Sequence, residues 1–273
     1  LRSGSQIPEF AGRHFPAIPE TMSVEMDSVP AQPLFTLDSM QFFGRVAADY
    51  EAMFSIRLQD LRDLRVLDCP SGPGSFVAEG HAAGVQVIGV DPLYKQPLDA
   101  LVQRGSDDVH TTIGRMRANA SRFADIDLDA YAHSKLRALA RFASDFQEGS
   151  IDGRYVAASL PNLPFADRAF DITLSAHLLF TYSDPASGGL LPDSPFTLEW
   201  HLAAADELLR VTHRELRLYP TTTRSLTPAR HPFAEAIAER LRSLGHVVRY
   251  QPSSFARGNH KDDTLNACLV IQR

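Results

Sequence analysis

Cysteine is scarce in this chain: Cys69 and Cys268 are the two thiols among 273 residues. Two cysteines so far apart build no disulfide framework. Long apolar runs are missing too. Nothing approaches the roughly 18 consecutive apolar residues that span a bilayer, so no membrane association is expected. Dense basic runs are also absent. With 27 Lys and Arg against 33 Asp and Glu the formal net charge is −6, which speaks against DNA or RNA as a partner held through its phosphates. The opening LRSGSQIPEF lacks the basic-then-apolar order of a signal peptide, and a cytoplasmic location is expected. A serine hydrolase would show a G-x-S-x-G elbow, which is not there. Asp125, Asp127 and Asp129 are spaced like the start of a calcium loop. The glycine and closing glutamate of such a loop are missing, so DIDLD reads as a solvated face or a helix start, and no metal is expected.

What is present is a chain with 44% apolar residues, enough for a sizeable core in one large domain. Residues 1–35 hold Pro8, Pro16, Pro19, Pro30 and Pro33 without sustained periodicity. They read as a flexible arm or a vector-derived segment. Residues 36–273 read as a single domain. The pattern predicts an amphipathic helix over 38–56, capped by Asp38 or Ser39. Strands are expected at 65–69, 85–91, 154–160, 170–180 and 215–220, with two closing strands at 246–250 and 265–273. Helices are expected at 75–84, 97–104, much of 110–148, 198–212 and 232–244. Strand, tight turn, helix and strand within 65–91 form a βαβ unit, whose strands run parallel. The expected fold is α/β and Rossmann-like: a seven-stranded, mostly parallel sheet flanked by helices, with an N-terminal helix and a helical insert.

The most informative stretch is VLDCPSGPG, residues 66–74. In an open α/β sheet, ligands bind beyond the carboxyl ends of the strands. Asp68 ends the first strand, Gly72 and Gly74 allow a close backbone approach in the turn, and Asp91 ends the second strand, where a carboxylate can accept from a ribose diol. Phosphate is a poor fit. The loop ends GSF rather than GK[ST], GPGSFV lacks the third glycine of a dinucleotide fingerprint, and Asp68 would repel a pyrophosphate. A ligand with cationic groups suits that acid better.

Taken with later segments, the stretch resembles the first motif of the class I S-adenosylmethionine-dependent methyltransferases, the type 11 kind included, in an atypical form. Asp68, Gly72 and Gly74 match, and Pro70 replaces the first glycine. LPFADRAFD at 163–171 and ELLRVT at 207–212 resemble two further motifs, in the family's order, so the resemblance covers roughly residues 62–220. It implies S-adenosyl-L-methionine as cofactor. It implies that Asp68 lies near the methionine amino group through the loop, that Pro70, Gly72 and Gly74 shape that loop, and that Asp91 binds the ribose hydroxyls. Pro92, Leu93, Leu160 and Ser175 would complete the cofactor's surroundings, with Leu93 against the adenine. The family's acid near the adenine amine has no counterpart in AASLPNLPF, where Ser159, Asn162 or a backbone carbonyl would serve. Proline fixes φ and removes a donor, so the turn keeps its shape only if position 70 needs neither a positive φ nor an N–H.

Chemistry gathers in SAHLLFTYSDP, 175–185, at the end of the fourth strand. His177 is the candidate general base, against the alternative of a strand-end histidine that packs locally. Tyr182 is the second candidate catalytic residue. Asp184, before Pro185, reads as a turn residue. His201 is a weaker candidate for a pocket wall, and Tyr94 a candidate to close over the cofactor. Glu207 and Arg210 are expected to fix their helix, Cys69 and Phe76 to be buried. Phe42, Phe43, Tyr50 and Phe54 fit either a lid or the core. Residues 36–60 and 97–150 are expected to build the acceptor pocket. The resulting expectation is a methyltransferase whose acceptor is a small molecule; no Asn-Pro-Pro-Tyr type motif for a flipped base is present. The competing expectation is a non-catalytic protein that binds the cofactor or a partner on the same fold.

Overall fold

The structure, a computed structural model, describes residues 32–124, 126–255 and 265–273. Seven strands form one sheet in the order β3-β2-β1-β4-β5-β7-β6. They are β1 (Arg65–Asp68), β2 (Gln86–Val90), β3 (Tyr155–Val156), β4 (Phe170–Ala176), β5 (Thr212–Tyr219), β6 (Val247–Pro252) and β7 (Ala267–Gln272). β1 pairs in parallel with both β2 and β4, while β7 is antiparallel to β5 and β6. The strand order reverses at β1, so the crevice beyond its carboxyl end is the place for a ligand.

Side chains alternate across the sheet, and the two faces carry separate cores. Val66 packs with α1 (Ala47–Phe54), α2 (Phe76–Ala82) and Phe142 and Phe146 of α4 (Leu128–Ile151). Leu67 packs on the other side with α5 (Leu198–Val211) and α6 (Pro232–Ser243). The βαβ unit closes as expected: Gly84, at φ +79°, ends the turn after α2. Helix α3 (Leu98–Ala118) and α4 form the expected helical insert between β2 and β3. Asp127 caps α4, accepting from the amides of Asp129 and Ala130, so the second half of DIDLD starts a helix, while Asp125 lies outside the described residues. Among the described residues no helix is long and apolar enough to cross a membrane, and no cluster of metal-ligating side chains occurs.

Several expected boundaries differ. The N-terminal helix starts at Ala47, not near Asp38 or Ser39. The amides that would build its first turns are spent on tertiary contacts. Gln41 N donates to the Tyr182 hydroxyl at 3.2 Å and Phe42 N to Asp108 at 2.7 Å. Asp38 pairs with Arg115 instead of capping. The third strand shrinks to two residues because 158–160 leave the sheet to line a cavity. Helix 97–104 continues to Ala118, since Gly105 serves a close approach to Leu139 of α4: a Cβ there would lie 2.9 Å from Leu139 Cδ1. The arm at 1–35 lies almost wholly outside the described residues. Its end is pinned: Leu34 N donates to Arg224 O at 2.8 Å, and Arg122 donates to the carbonyls of Pro33 and Leu34.

Candidate functional site

A cavity of about 410 Å³ opens at the carboxyl ends of β1, β2 and β4. One wall consists of the Pro70–Gly72 turn and of Asp91, Pro92 and Leu93 after β2. Gly72 has φ +55°, in the left-handed region that favours glycine. Position 70 needs no positive φ, and Ser71, the next residue, ties the turn to β2 by donating to Val90 O at 2.9 Å. Pro70 is therefore compatible with the turn. Asp91 is 7% exposed. One of its oxygens accepts from Leu93 N at 2.9 Å, capping the short 3₁₀ helix Pro92–Lys95. Burial pushes the Asp91 carboxyl up to about 6, against the pull of the Leu93 and Gly72 amides. Asp91 is the one carboxylate among the described residues that line the cavity.

Asp68 does not line it. It is fully buried, and both carboxylate oxygens accept from the Tyr50 hydroxyl, at 3.0 and 2.9 Å. Tyr50 lines the cavity in its place and stacks on Phe76 with ring centroids 4.3 Å apart. Burial raises the Asp68 carboxyl to about 7, with the neighbouring Asp91 adding to the rise and the hydroxyls of Ser71 and Tyr50 opposing it. Gly74 also lies off the cavity. A Cβ there would meet Ser71 O at 3.1 Å and Arg45 O at 3.2 Å, so its close approach is to protein backbone. Ser175 is buried in β4, away from the lining, whereas Leu160 and Ser159 line it. Asn162 folds back in a turn, its amide donating to Ser159 O at 3.0 Å. Tyr94 sits behind the glycine turn, donating to Gly72 O at 2.6 Å, and does not close over the cavity.

His177 and Tyr182 both reach the cavity from the segment after β4. His177 has φ +61°, and its amide donates to Tyr219 O at 2.7 Å. That left-handed backbone is uncommon outside glycine and turns the chain over the end of β4. The Tyr182 hydroxyl sits against Gln41, accepting from its amide and lying 3.4 Å from its carbonyl oxygen. Burial raises the Tyr182 phenol, which keeps it neutral. His201 is not a wall residue. It is wholly buried, accepts from Phe180 N at 3.0 Å, and has its pKa pushed down to about 4 by burial. Asp184 caps a turn, accepting from Ala186 N and Asp193 N. Glu207 and Arg210 pair at 2.8 Å, and Glu207 also accepts from Leu163 N, fixing α5 to the segment after β3.

The remaining wall comes from the two segments expected to build it, with Phe42, Phe43 and Arg45 from one and Arg104, Met116 and Tyr131 from the other. Phe54 is core. Trp200 and Phe196, with rings 4.5 Å apart, close a side that the sequence did not indicate. Neither did the sequence indicate Arg45 or the position of Tyr50 over Asp68.

The strand order, with its antiparallel seventh strand, is a Rossmann-like α/β fold. No protein-family profile matches the chain. An uncharacterized protein of Methanocaldococcus jannaschii is 26% identical over 236 residues, which cover 84% of this chain and 95% of that protein. Among solved structures, the chain is similar to 1,6-didemethyltoxoflavin-N1-methyltransferase of Burkholderia thailandensis (TM-score 0.40, 13% identity, 82% of this chain and 78% of that one). It is also similar to magnesium protoporphyrin IX methyltransferase of Synechocystis (TM-score 0.37, 16% identity, 77% and 68%). The fold stands on the strand order and directions.

Proposed function

We propose that the protein is an S-adenosyl-L-methionine-dependent methyltransferase acting on a small molecule. One observation carries the reading: the Pro70–Gly72 turn, Asp91 and the His177–Tyr182 segment face a single cavity at the carboxyl ends of the parallel strands. The donor set fits the cofactor's chemistry. Asp91 lines the cavity as an acceptor for a ribose diol, Gly72 lets the ligand approach the backbone, and Leu93 and Leu160 offer apolar contact to a purine. When bound, the cofactor supplies an electrophilic methyl group on a sulfonium.

In this reading the chain's own residues orient the acceptor and manage its proton. The aromatic wall excludes water and orients a flat acceptor. His177 takes the acceptor's proton where the acceptor is a hydroxyl or an amine. Tyr182, kept neutral by burial, positions Gln41 and the N-terminal segment rather than acting as a base.

The test is transfer of a labelled methyl group to a panel of small hydroxyl, amine and carboxylate compounds. Turnover is expected with the full chain, and a loss of about 100-fold or more with His177→Gln at unchanged S-adenosylhomocysteine affinity. The competing reading, a binding protein without turnover, is favoured by the occlusion of Asp68 beneath Tyr50. It predicts cofactor binding with no transfer to any acceptor.

A further inference from the structure

Three guanidinium groups line the cavity against the single carboxylate of Asp91. Two of them are engaged. Arg104 donates to Asp108 at 2.6 Å and to Met40 O at 2.8 Å, and Arg224 has partners of its own. Arg45 differs. Its side chain has no hydrogen bond and no ion pair among the described residues, and its Nε is buried. Its guanidinium carbon lies 6.0 Å from the centroid of the Phe43 ring. Asp49 is taken by Lys135, at 2.7 Å. A guanidinium with a buried, unpaired N–H at a cavity wall is destabilising until an anion arrives, and a planar carboxylate suits it best.

The backbone holds Arg45 at this place. Ser75 N donates to Arg45 O at 2.9 Å, and Gly74 leaves room for that carbonyl, so residue 45 is tied to the glycine turn. Arg45 lines the cavity together with Tyr50, Ser71 and Tyr182, and its charge lowers the pKa of both phenols.

We propose that Arg45 is a carboxylate-binding residue of this cavity, reading an anionic group of a bound small molecule. The inference rests on the function proposed above only for the source of that group. Two ligands offer the same chemistry there: the amino-acid end of the cofactor, or an acidic acceptor. With Tyr50 covering Asp68, the amino-acid end would be held through its carboxylate by Arg45 rather than through its ammonium by Asp68.

Calorimetry on the full chain and on Arg45→Met separates the sources. The probes are S-adenosylmethionine and its decarboxylated analogue, which keeps the ammonium, sulfonium and ribose. 5′-Methylthioadenosine, lacking the whole amino-acid end, should bind both proteins equally and reports an intact site. If the cofactor supplies the anion, the full chain prefers S-adenosylmethionine over the analogue by about tenfold or more, Arg45→Met abolishes the preference, and Arg45→Lys restores part of it. If the acceptor supplies it, the two nucleosides bind both proteins alike. With S-adenosylhomocysteine bound, 1-naphthoate then binds the full chain at least about tenfold tighter than 1-naphthylmethylamine, and Arg45→Met erases that difference. Carboxylate preferences that do not change in Arg45→Met overturn the proposal. Failure of all three nucleosides to bind the full chain overturns the cofactor reading instead, and the naphthoate pair, run alone, then decides on Arg45.

Discussion

The Tyr50 hydroxyl bridges both carboxylate oxygens of Asp68, at 3.0 and 2.9 Å, and closes that acid off from the cavity. A buried acid left without its donor is costly, and more so once ionised. Tyr50→Phe is therefore expected to destabilise the protein by about 1–3 kcal/mol. The hydroxyl holds the Asp68 pKa down, so its loss weighs more at pH 8, where the carboxyl is ionised, than at pH 6. Urea unfolding of both proteins at the two pH values checks this. Equal losses at both would mean that Asp68 does not titrate near 7.

Two sets of buried groups oppose each other in their pH dependence. Asp68 and Asp91 have folded pKa values raised to about 7 and about 6, so they keep protons that the unfolded chain has lost. Their contribution is full at acid pH and fades as pH rises through those values. His201 and His231 are lowered to about 4 and about 3 by burial, so the unfolded chain gains protons first as pH falls. As pH falls from 7 to 5 the two histidines lower stability while the two acids raise it. The wild-type protein should therefore lose less stability over this window than a variant without one of the acids. Asp68→Asn should expose a clear acid loss, measured by urea midpoints at pH 7 and 5.

Asp91 should also set the pH dependence of cofactor binding. Its ionised form is the better acceptor, and ionisation is completed above about 6. Affinity for S-adenosylhomocysteine is expected to rise from pH 5 to pH 7 and then level off as far as Asp91 governs it. In Asp91→Asn that rise should be smaller, which calorimetry across the range would show.

Gly44 fixes how the N-terminal segment meets the glycine turn. A Cβ at this position would lie 2.1 Å from Pro73 O, a backbone atom that cannot step aside. Gly44→Ala is expected to destabilise by about 1–3 kcal/mol and to expose residues 36–46 to limited proteolysis. Unchanged protection of that segment would contradict the contact's importance.

The sheet was legible because its evidence is local. Val66 and Leu67, adjacent in sequence, feed opposite cores, and Gly84 and Gly245, both at positive φ, mark element ends in the sequence itself. Asp91 and the turn at Gly72 were legible for the same reason. What escaped depends on distant partners. The first part of the helix expected over 38–56 does not form, because Asp108 and Tyr182 take the amides of Phe42 and Gln41, and the helix runs from Ala47 to Phe54. Gly105 looks like a break in α3 until Leu139 is seen packed against it. Arg45 looked ordinary because only the folded chain leaves it unpaired in a cavity wall.

Titration of S-adenosylmethionine into the full chain and into Asp91→Ala tests the account most directly. Binding to the full chain at a Kd well below about 1 mM is expected, weakened about 100-fold in the variant by loss of a charged acceptor to the ribose. No binding to the full chain at near-millimolar cofactor, or equal binding by both proteins, would contradict the cofactor site described here.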